Sequence, residues 1–590
     1  MMTSAPADRQ GSLFRTGLST ALVLLAISPA GRISADEVLK LTPVEPGATV
    51  PGTLFICGGG KLPDAALQRF VEIAGGTRAH VVVITTASET ADTAEVESRI
   101  DFWRKARLEE MSVLHTRNRE IADDANFCRP LQSATGVWFI GGNQDRLTQT
   151  YLGTRVERCI RNVLERGGVV GGTSAGAAIM SPVMIRGGNP LAEIGDGFGF
   201  LPGTVVDQHF LKRRRQDRLL NVLSVFPQLV GVGIDEGTAI VVTGRRLSVI
   251  RESESEVVTY LAPVDGKPSR MVTLKPGDEL DLVAARRAAM ARVQPRMRFD
   301  QDVPEPAVPQ GTLILVGGGE TPADAALRFI QASGGPEAPM VVVSTATGER
   351  APPEEEVTGW LTSAGAKQVK QVHARTREEA EDPAVLGLLQ KASGVWFTGG
   401  RQWRLVDAFL DTAAERLLHE VLKRGGAIGG SAAGASISAG YLVRGNPLNN
   451  RQIMAEGYED GFGFLPGAAV DPFFSQRNRF SDMASLKQNY PQLVGLGLDE
   501  GTAVVVKGHE LEVLGRNRVC VFDRRAQSGE GEQSFDVLLA GDRYDLSQRR
   551  RMGPTRAEEP ALQIVEQTTE SSETVAAGSE SRPQPPLVCE

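Results

Sequence analysis

Hydrophobic positions along this chain follow two alternating patterns. Short apolar runs at 80–86, 136–142 and 167–174, of which the last two are bounded by glycines, are typical of buried strands. The segments 64–76 and 147–168 carry apolar residues at helical spacing. Strands that alternate with helices predict an α/β fold whose mainly parallel sheet is covered by helices on both faces. In such sheets ligands bind beyond the carboxyl ends of the strands, where the glycine-rich segments of this chain fall.

The whole pattern occurs twice. "DGFGFLPG" stands at 196–203 and again at 460–467, and the segment 227–242 returns at 491–506 with conservative changes. We therefore predict two tandem modules, each an α/β unit of ordinary domain length. The spacing between the two copies drifts, which places a small insertion in the second copy near 449–460.

Five segments are expected from these features. They are a signal peptide (1–35), a catalytic module (46–300), a linker (301–310), a degenerate module (311–550) and a disordered tail (551–590). The linker is rich in proline. The tail is rich in Ser, Glu and Pro, a composition typical of disordered segments.

The N-terminus indicates export. Arg9 and Arg15 precede an apolar run at 18–27, and small residues follow at Ala30 and Ala35. This layout predicts a secretory signal peptide and a secreted or periplasmic protein. The apolar run is short for a membrane span, so no membrane association is expected after processing. An uncleaved tail, or a start codon assigned too far upstream, is the alternative.

Composition excludes some functions. The chain of 590 residues has a net charge of −8, with 41% hydrophobic and 23% charged residues, which is ordinary for a globular protein. Because it has no basic excess, nucleic acid is not expected as a partner. The five cysteines are scattered without a Cys-X-X-Cys pair, so neither a disulfide framework nor a zinc site is predicted. We expect no metal and no cofactor.

The candidate nucleophile is Ser174. It stands in "GGTSAGAAIM" at 171–180, where a Gly-X-Ser-X-Gly motif joins a predicted strand to a predicted helix. In a nucleophile elbow this turn exposes the serine hydroxyl and leaves the next backbone N–H free for an oxyanion. The glycine-rich stretch 57–61 lacks the Lys-Ser/Thr ending of a phosphate-binding loop, and we interpret it as a turn at a strand end.

A serine nucleophile needs a base, and the base needs a group that orients it. Among six histidines, His209 follows an apolar, strand-like run in "VVDQHFLKRRRQDRL". Glu236 in "GVGIDEGTA" is the candidate acid, since a carboxylate on the imidazole would fix its tautomer and stabilise the imidazolium. Asp235 is the competing candidate, and the sequence leaves this choice open.

These motifs, together with "GGNQ" at 141–144, closely resemble the cyanophycinase family of serine peptidases, which is related to aspartyl dipeptidases of the peptidase E type. The resemblance covers 50–245 well and 310–506 more loosely. It implies a fold akin to class I glutamine amidotransferases. The catalytic triad that it implies is Ser174, His209 and Glu236.

Further site residues follow from the same resemblance. The N–H groups of Ala175 and of the Gly142 loop are expected to hold the oxyanion. Substrate contacts are implied for Gln144, Asp207, Gln208, Arg213, Arg215 and Arg218. Cyanophycin has a poly-aspartate backbone with arginine joined to each β-carboxyl, so enzyme arginines suit its carboxylates, while acidic and amide groups suit its guanidinium groups. The implied reaction is hydrolysis to β-Asp-Arg dipeptides through an acyl-enzyme on Ser174.

The second module departs from this pattern where the chemistry requires it. Ala432 replaces the serine and Phe473 replaces the histidine, while Asp482 takes the place of Arg218. We predict that this module is catalytically inactive and packs on the first module like the second subunit of a dimer.

Two other functions remain open from the sequence. One is a related dipeptidase with broader Asp-X specificity, which is distinguished by offering Asp-X dipeptides beside cyanophycin. The other is a non-catalytic peptide-binding protein, which is distinguished by whether a fluorophosphonate probe labels Ser174. A histidine and an acid at the positions that the triad needs weigh against the binding protein.

Overall fold

The computed structural model describes residues 44–264, 266–293, 299, 303–523 and 535–553. The predicted signal peptide and the predicted tail beyond residue 553 lie outside these residues, so both stay predictions. None of the helices in the described ranges combines the length and the apolar character that a membrane span needs.

Two sheets and a hairpin form the first module. Its strands in the described ranges are β1 (Val50–Cys57), β2 (His80–Ile84), β3 (Glu110–Leu114), β4 (Gly136–Phe139), β5 (Val169–Thr173), β6 (Val183–Gly187), β7 (Glu193–Asp196), β8 (Thr204–Gln208), β9 (Val230–Ile234), β10 (Ala239–Gly244), β11 (Arg246–Val249), β12 (Val257–Leu261), β13 (Arg270–Leu274) and β14 (Glu279–Asp281). The main sheet has the order β14-β11-β10-β1-β5-β4-β2-β3. In this order, the neighbouring pairs from β1 through β5, β4 and β2 to β3 are parallel. The pairs β1–β10, β10–β11 and β11–β14 are antiparallel.

Helices pack on the sheets of this module. They are α1 (Asp64–Ile73), α2 (Val96–Lys105), α3 (Arg119–Ala122), α4 (Arg129–Ser133), α5 (Gln144–Tyr151), α6 (Arg155–Glu165), α7 (Ala175–Ala178), α8 (Gln216–Val225) and α9 (Leu282–Val293). Along β1, Leu54 and Ile56 belong to one hydrophobic cluster, while Phe55 and Cys57 belong to another. Because successive side chains of a strand point to opposite faces, both faces are buried. The predicted α/β class is confirmed.

Two features differ from the sequence-based expectation. The helix predicted over 147–168 is two helices, α5 and α6, because Gly153 between them has a φ of 77°, which glycine adopts without the clash of a Cβ. In addition, β8 and β9 do not join the main sheet. They lie in a separate four-stranded sheet with the order β13-β12-β9-β8.

The second module repeats the first. Its strands in the described ranges are β15 (Val308–Val316), β16 (Pro339–Val343), β17 (Gln368–Val372), β18 (Gly394–Phe397), β19 (Ala427–Ser431), β20 (Ala439–Tyr441), β21 (Leu465–Pro472), β22 (Val494–Leu498), β23 (Thr502–Gly508), β24 (Glu510–Gly515), β25 (Arg518–Phe522), β26 (Asp536–Leu539), β27 (Arg543–Asp545) and β28 (Arg550–Met552). Its helices are α10 (Ala323–Ala332), α11 (Glu354–Ser363), α12 (Arg377–Ala380), α13 (Pro383–Lys391), α14 (Gln402–Phe409), α15 (Ala413–Lys423), α16 (Ala433–Ile437) and α17 (Phe480–Asn489). The sheet orders are β17-β16-β18-β19-β15-β23-β24-β27-β28 and β20-β21-β22-β25-β26.

An ionic cluster joins the two modules. Asp407 of the second module lies 2.7 Å from both Arg245 and Arg287 of the first. The Tyr458 hydroxyl donates to the same carboxylate at 2.9 Å. Tyr458 lies within 449–460, the segment near which the second copy has its insertion, and its hydroxyl also accepts from Arg245 at 3.0 Å.

Candidate active site

Ser174 lies on the sharp turn between β5 and α7. Its φ of 53° and ψ of −105° are unusual for a residue with a Cβ, and its N–H is held by the carbonyl of Cys57 at 3.1 Å. A Cβ on Gly172 would lie 2.8 Å from the backbone of Gly176, and one on Gly176 would lie 2.6 Å from the Phe139 carbonyl. The Gly-X-Ser-X-Gly pattern is therefore a packing requirement of this turn.

His209 and Glu236 stand at the ends of β8 and β9 and meet Ser174 across the gap between the two sheets. The Ser174 Oγ lies 2.8 Å from His209 Nε2, and His209 Nδ1 lies 2.6 Å from Glu236 Oε1. Because a carboxylate only accepts, Nδ1 carries the proton and Nε2 is left to accept the serine hydroxyl. The three predicted catalytic residues thus form one hydrogen-bonded chain.

Burial sets the charge state of the base. The His209 side chain is only 9% exposed. This burial lowers the pKa of His209, and Arg213 and Arg215 lower it further, although the hydrogen bond to Glu236 opposes the shift. The imidazole is therefore held in the neutral form that can take a proton from serine.

Asp235 faces away from the imidazole. Its carboxylate accepts from the backbone N–H of Lys212 at 2.8 Å and from the Ser255 hydroxyl at 3.2 Å. Since Lys212 follows His209 by three residues, this carboxylate fixes the loop that carries the base. Of the two candidate acids, Asp235 and Glu236, it is Glu236 that forms the hydrogen bond with His209 in the structure.

The glycine-rich stretch 57–61 packs against the triad, a role that the sequence did not reveal. A Cβ on Gly59 would lie 2.3 Å from Cε1 of His209, and one on Gly60 would lie 2.8 Å from Cβ of Glu236. The Gly58 carbonyl also accepts from the His209 N–H at 2.7 Å. A signal was present in the sequence, since the same three glycines return at 317–319.

Two backbone N–H groups are the candidate oxyanion donors. Ala175 begins α7 directly after Ser174, and Gly142 ends the turn after β4, where a Cβ would lie 2.1 Å from the Ala87 carbonyl. Neither N–H donates to another group among the described residues. Among the residues that the structure describes, no three His, Cys, Asp or Glu side chains are grouped so as to hold a metal ion.

The residues predicted to contact substrate divide into buried and exposed groups. Asp207 and Arg218 pair with each other in the interior, with 0% and 3% exposed surface. Burial raises the pKa of Asp207, which Arg218 opposes, and lowers the pKa of Arg215 to about 10. Gln208 accepts from Arg215 at 3.2 Å, while Arg213 is exposed.

The sixth of these residues, Gln144, is also buried. Its amide nitrogen donates to the backbone carbonyls of Ile185 at 3.0 Å and Arg186 at 2.6 Å. It therefore ties the start of α5 to β6.

A family model accounts for most of this chain. The model of peptidase family S51 matches residues 54–250 and again residues 313–514. The chain belongs to peptidase family S51. This membership confirms the predictions of a serine-type peptidase and of a tandem duplication.

Several S51 relatives are curated proteins. The cyanophycinase of Geminocystis herdmanii is 36% identical over 183 residues, which are 30% of this chain and 67% of that protein. The cyanophycinase of Trichormus variabilis is 35% identical over 185 residues, which are 30% of this chain and 61% of that protein. The chain thus spans about two thirds of the length of these relatives.

Two solved structures are also similar. One is a peptidase from an acI-B1 actinobacterium, at 23% identity over 40% of this chain and 97% of that chain, with a TM-score of 0.33. The other is a putative peptidase E protein from Listeria monocytogenes, at 17% identity over 35% of this chain and 98% of that chain, with a TM-score of 0.28.

The second S51 region keeps the backbone of the site without the serine and the histidine. Ala432 has a φ of 51° and a ψ of −109°, nearly the values of Ser174. Phe473 takes the place of His209, and its ring packs on Gly318, where an added Cβ would lie 2.2 Å from Cζ. Glu500 matches Glu236, but the residue at the position of the imidazole is Phe473.

Proposed function

We propose that this S51 protein hydrolyses cyanophycin to β-Asp-Arg dipeptides through an acyl-enzyme on Ser174. The observation that carries the proposal is the continuous hydrogen-bonded chain from Ser174 through His209 to Glu236. The curated relatives named cyanophycinase, at 35% to 36% identity, support the choice of substrate.

In the proposed reaction, Ser174 Oγ attacks a backbone carbonyl carbon of the polymer as its proton passes to His209 Nε2. Glu236 holds the opposite side of the ring and stabilises the imidazolium. His209 then gives the proton to the leaving amine, which leaves an ester on Ser174. A water molecule, deprotonated by His209, hydrolyses this ester and restores the serine.

The oxyanion of each tetrahedral intermediate would be held by the N–H groups of Ala175 and Gly142. Two such donors are worth a large part of the acceleration, because removing one oxyanion donor in a serine peptidase lowers kcat by about 10²- to 10³-fold. The support for this assignment is that Ala175 directly follows Ser174, that an added Cβ on Gly141, the neighbour of Gly142, would lie 3.4 Å from the Cβ of Ser174, and that neither N–H has a partner among the described residues.

The second module is proposed to be a non-catalytic companion that packs on the first like a dimer partner. Support comes from the ionic cluster around Asp407 and from Glu456, which lies 2.9 Å from Arg292 of the first module. Both Glu456 and Tyr458 stand in the segment 449–460, close to the insertion of the second copy.

Export is the remaining part of the proposal. It is supported by the N-terminal pattern of arginines, an apolar run and small residues. Expression with the full N-terminus, followed by N-terminal sequencing of the mature protein, tests it. Mature protein that begins before residue 30 would contradict a cleaved signal peptide.

The function is tested with the variant Ser174→Ala on insoluble cyanophycin, with detection of released dipeptide. We expect no release by Ser174→Ala, and unchanged release by the matched control Ser431→Ala, whose serine stands beside Ala432 in the second module. A fluorophosphonate probe should label the wild type and not Ser174→Ala. Activity on Asp-X dipeptides but not on the polymer would overturn the choice of substrate, and an unlabelled wild type would overturn the mechanism.

A further inference from the structure

A buried cluster contains four of the residues expected to contact substrate. Asp207 has no exposed surface, and Arg218 bonds both of its oxygens. Arg215 lies 3.7 Å from the same carboxylate and donates to the backbone carbonyl of Gln208 at 2.7 Å. These charges already have partners in a desolvated place, so a substrate group would have to displace one of them.

The second module keeps the buried aspartate and its pairing with arginine, although it has neither the serine nor the histidine. Asp471 also has no exposed surface, and Arg479 lies 2.5 Å from it. Asp482 stands at the position of Arg218, and Arg444 supplies the guanidinium instead, at 2.9 Å from Asp471. A buried carboxylate that gains a new arginine when the old one is lost serves the fold, because leaving it unpaired is strongly destabilising.

A buried glutamine with the same hydrogen bonds is also present in both modules. Gln144 donates to two successive backbone carbonyls at 3.0 and 2.6 Å. Gln402, its counterpart in the second module, donates to the matching carbonyls at 2.7 and 2.9 Å. A bond that is retained where no reaction takes place holds the scaffold.

Other cations stand free beside the triad. Lys61, Lys212 and Arg214 are exposed, and none of them forms an ion pair with any described residue. Lys61 follows the glycine that packs on Glu236. Lys212 is tied through its backbone N–H to Asp235, the neighbour of Glu236. These side chains are therefore presented by the loops that shape the catalytic centre.

The second module has lost this positive charge. Glu320, Gln476 and Asn478 occupy the three matching positions. The backbone is unchanged, since Arg214 and Asn478 have φ values of 49° and 47°. At these three positions the two modules thus differ in charge and not in local fold. By contrast, both modules have a buried aspartate paired with arginine.

We propose that Lys61, Lys212 and Arg214 bind carboxylates of the substrate, while the buried Asp207 cluster only positions the loop that carries His209. This inference rests on the proposed function and names the surface that recognises the polymer. Each arginyl unit of cyanophycin has a free carboxylate, so the polymer presents a row of anions. Exposed cations attract such a row without breaking buried ion pairs.

The first test replaces the three cations together, as Lys61→Gln, Lys212→Gln and Arg214→Asn. KM for soluble cyanophycin chains should rise on the order of tenfold, since each exposed charge pair contributes a factor of about 1.4 to 5. The kcat should stay within about twofold of the wild type. The matched control makes an equal charge change at exposed lysines elsewhere, Lys275→Gln, Lys370→Gln and Lys391→Gln, and should leave both constants unchanged.

The positioning half of the proposal has its own readout. Asp207→Asn should lower kcat with little change in KM, because it disturbs the His209 loop and not the carboxylate-binding surface. Asp471→Asn, the matching change in the second module, should lower stability and leave kcat unchanged. A rise in KM as the main effect of Asp207→Asn would overturn the positioning role.

A binding measurement separates this proposal from the proposed function. Poly-aspartate is titrated into Ser174→Ala protein with and without the three cation substitutions. We expect affinity to fall about tenfold at low salt and the difference to shrink as salt screens the charges. Equal affinity in the two proteins overturns the proposal even where the wild type cleaves cyanophycin. A loss of affinity supports the cation surface even where dipeptide release fails.

Discussion

The glycine-rich stretch beside the triad makes Gly59→Ala the most informative single change. An added Cβ would lie 2.3 Å from Cε1 and 2.5 Å from Nε2 of His209, against ordinary contacts of 3.4 to 4 Å. The ring or the loop must therefore move by about 1 Å to relieve the overlap. Gly59 also has a φ of 104°, where any side chain is strained.

A shift of that size acts on the reacting atom. Nε2 of His209 lies 2.8 Å from Ser174 Oγ, so a retreat of about 1 Å takes the pair beyond hydrogen-bonding distance. Misplacement by about 1 Å lowers rates by about 10²-fold, and loss of a general base lowers them by about 10²- to 10⁴-fold. We expect kcat to fall within that range, and fluorophosphonate labelling of Ser174 to slow in parallel.

Two control variants isolate the cause. Gly76→Ala has a similar backbone problem, with a φ of 64°, but its Cβ would meet nothing within 4 Å. Gly318→Ala repeats the overlap in the second module, where the Cβ would lie 2.2 Å from Cζ of Phe473. Both should lose some stability and keep wild-type kcat. A folded Gly59→Ala protein with the labelling rate and kcat of Gly76→Ala would refute the positioning argument.

Three further outcomes are expected. Burial lowers the pKa of His209, and the neutral imidazole is the form that acts as the base. In a pH–rate profile, the acid limb of kcat/KM should therefore have its midpoint below about 6.5. A higher midpoint would contradict this. Glu236→Gln should lower kcat by up to about 10⁴-fold by favouring the wrong tautomer, whereas Glu500→Gln in the second module should not, as steady-state assays will show. Asp407→Asn leaves Arg245 and Arg287 without their shared carboxylate. In urea titrations it should lower the free energy of unfolding by about 3 kcal/mol. An unchanged free energy would argue against a stabilising contact between the modules.

Much of the site was predictable because its signals are local. The turn at Ser174 needs glycines within two residues, so the motif appears in the sequence as a unit. The duplication added a second signal, since the loss of a serine at Ala432 and of a histidine at Phe473 points to residues that act together. The apolar runs predicted the parallel strands for the same reason, because a strand buried on both faces is apolar throughout.

The features that could not be predicted depend on distant parts of the chain. The pattern of β8 and β9 shows that they are buried but not which sheet they join, so their separate sheet became visible only in three dimensions. The choice between Asp235 and Glu236 depends on which side chain faces the imidazole. The arginine that serves Asp471 comes from another segment than in the first module, and no local pattern marks that exchange.

The second module also bears on the origin of the strained backbone at the site. Residues with a Cβ at positive φ cost about 1 to 3 kcal/mol each and are often taken as a mark of catalysis. Yet Ala432 and Phe473, which replace the serine and the histidine, keep φ values of 51°, close to those of Ser174 and His209. Their N–H groups are held by strand-end carbonyls at 3.0 and 2.8 Å, as in the first module, so the sheet ends impose the strain. The fold therefore imposes these turns in both modules, whether or not a serine and a histidine stand on them, so the strained backbone alone does not identify a catalytic site.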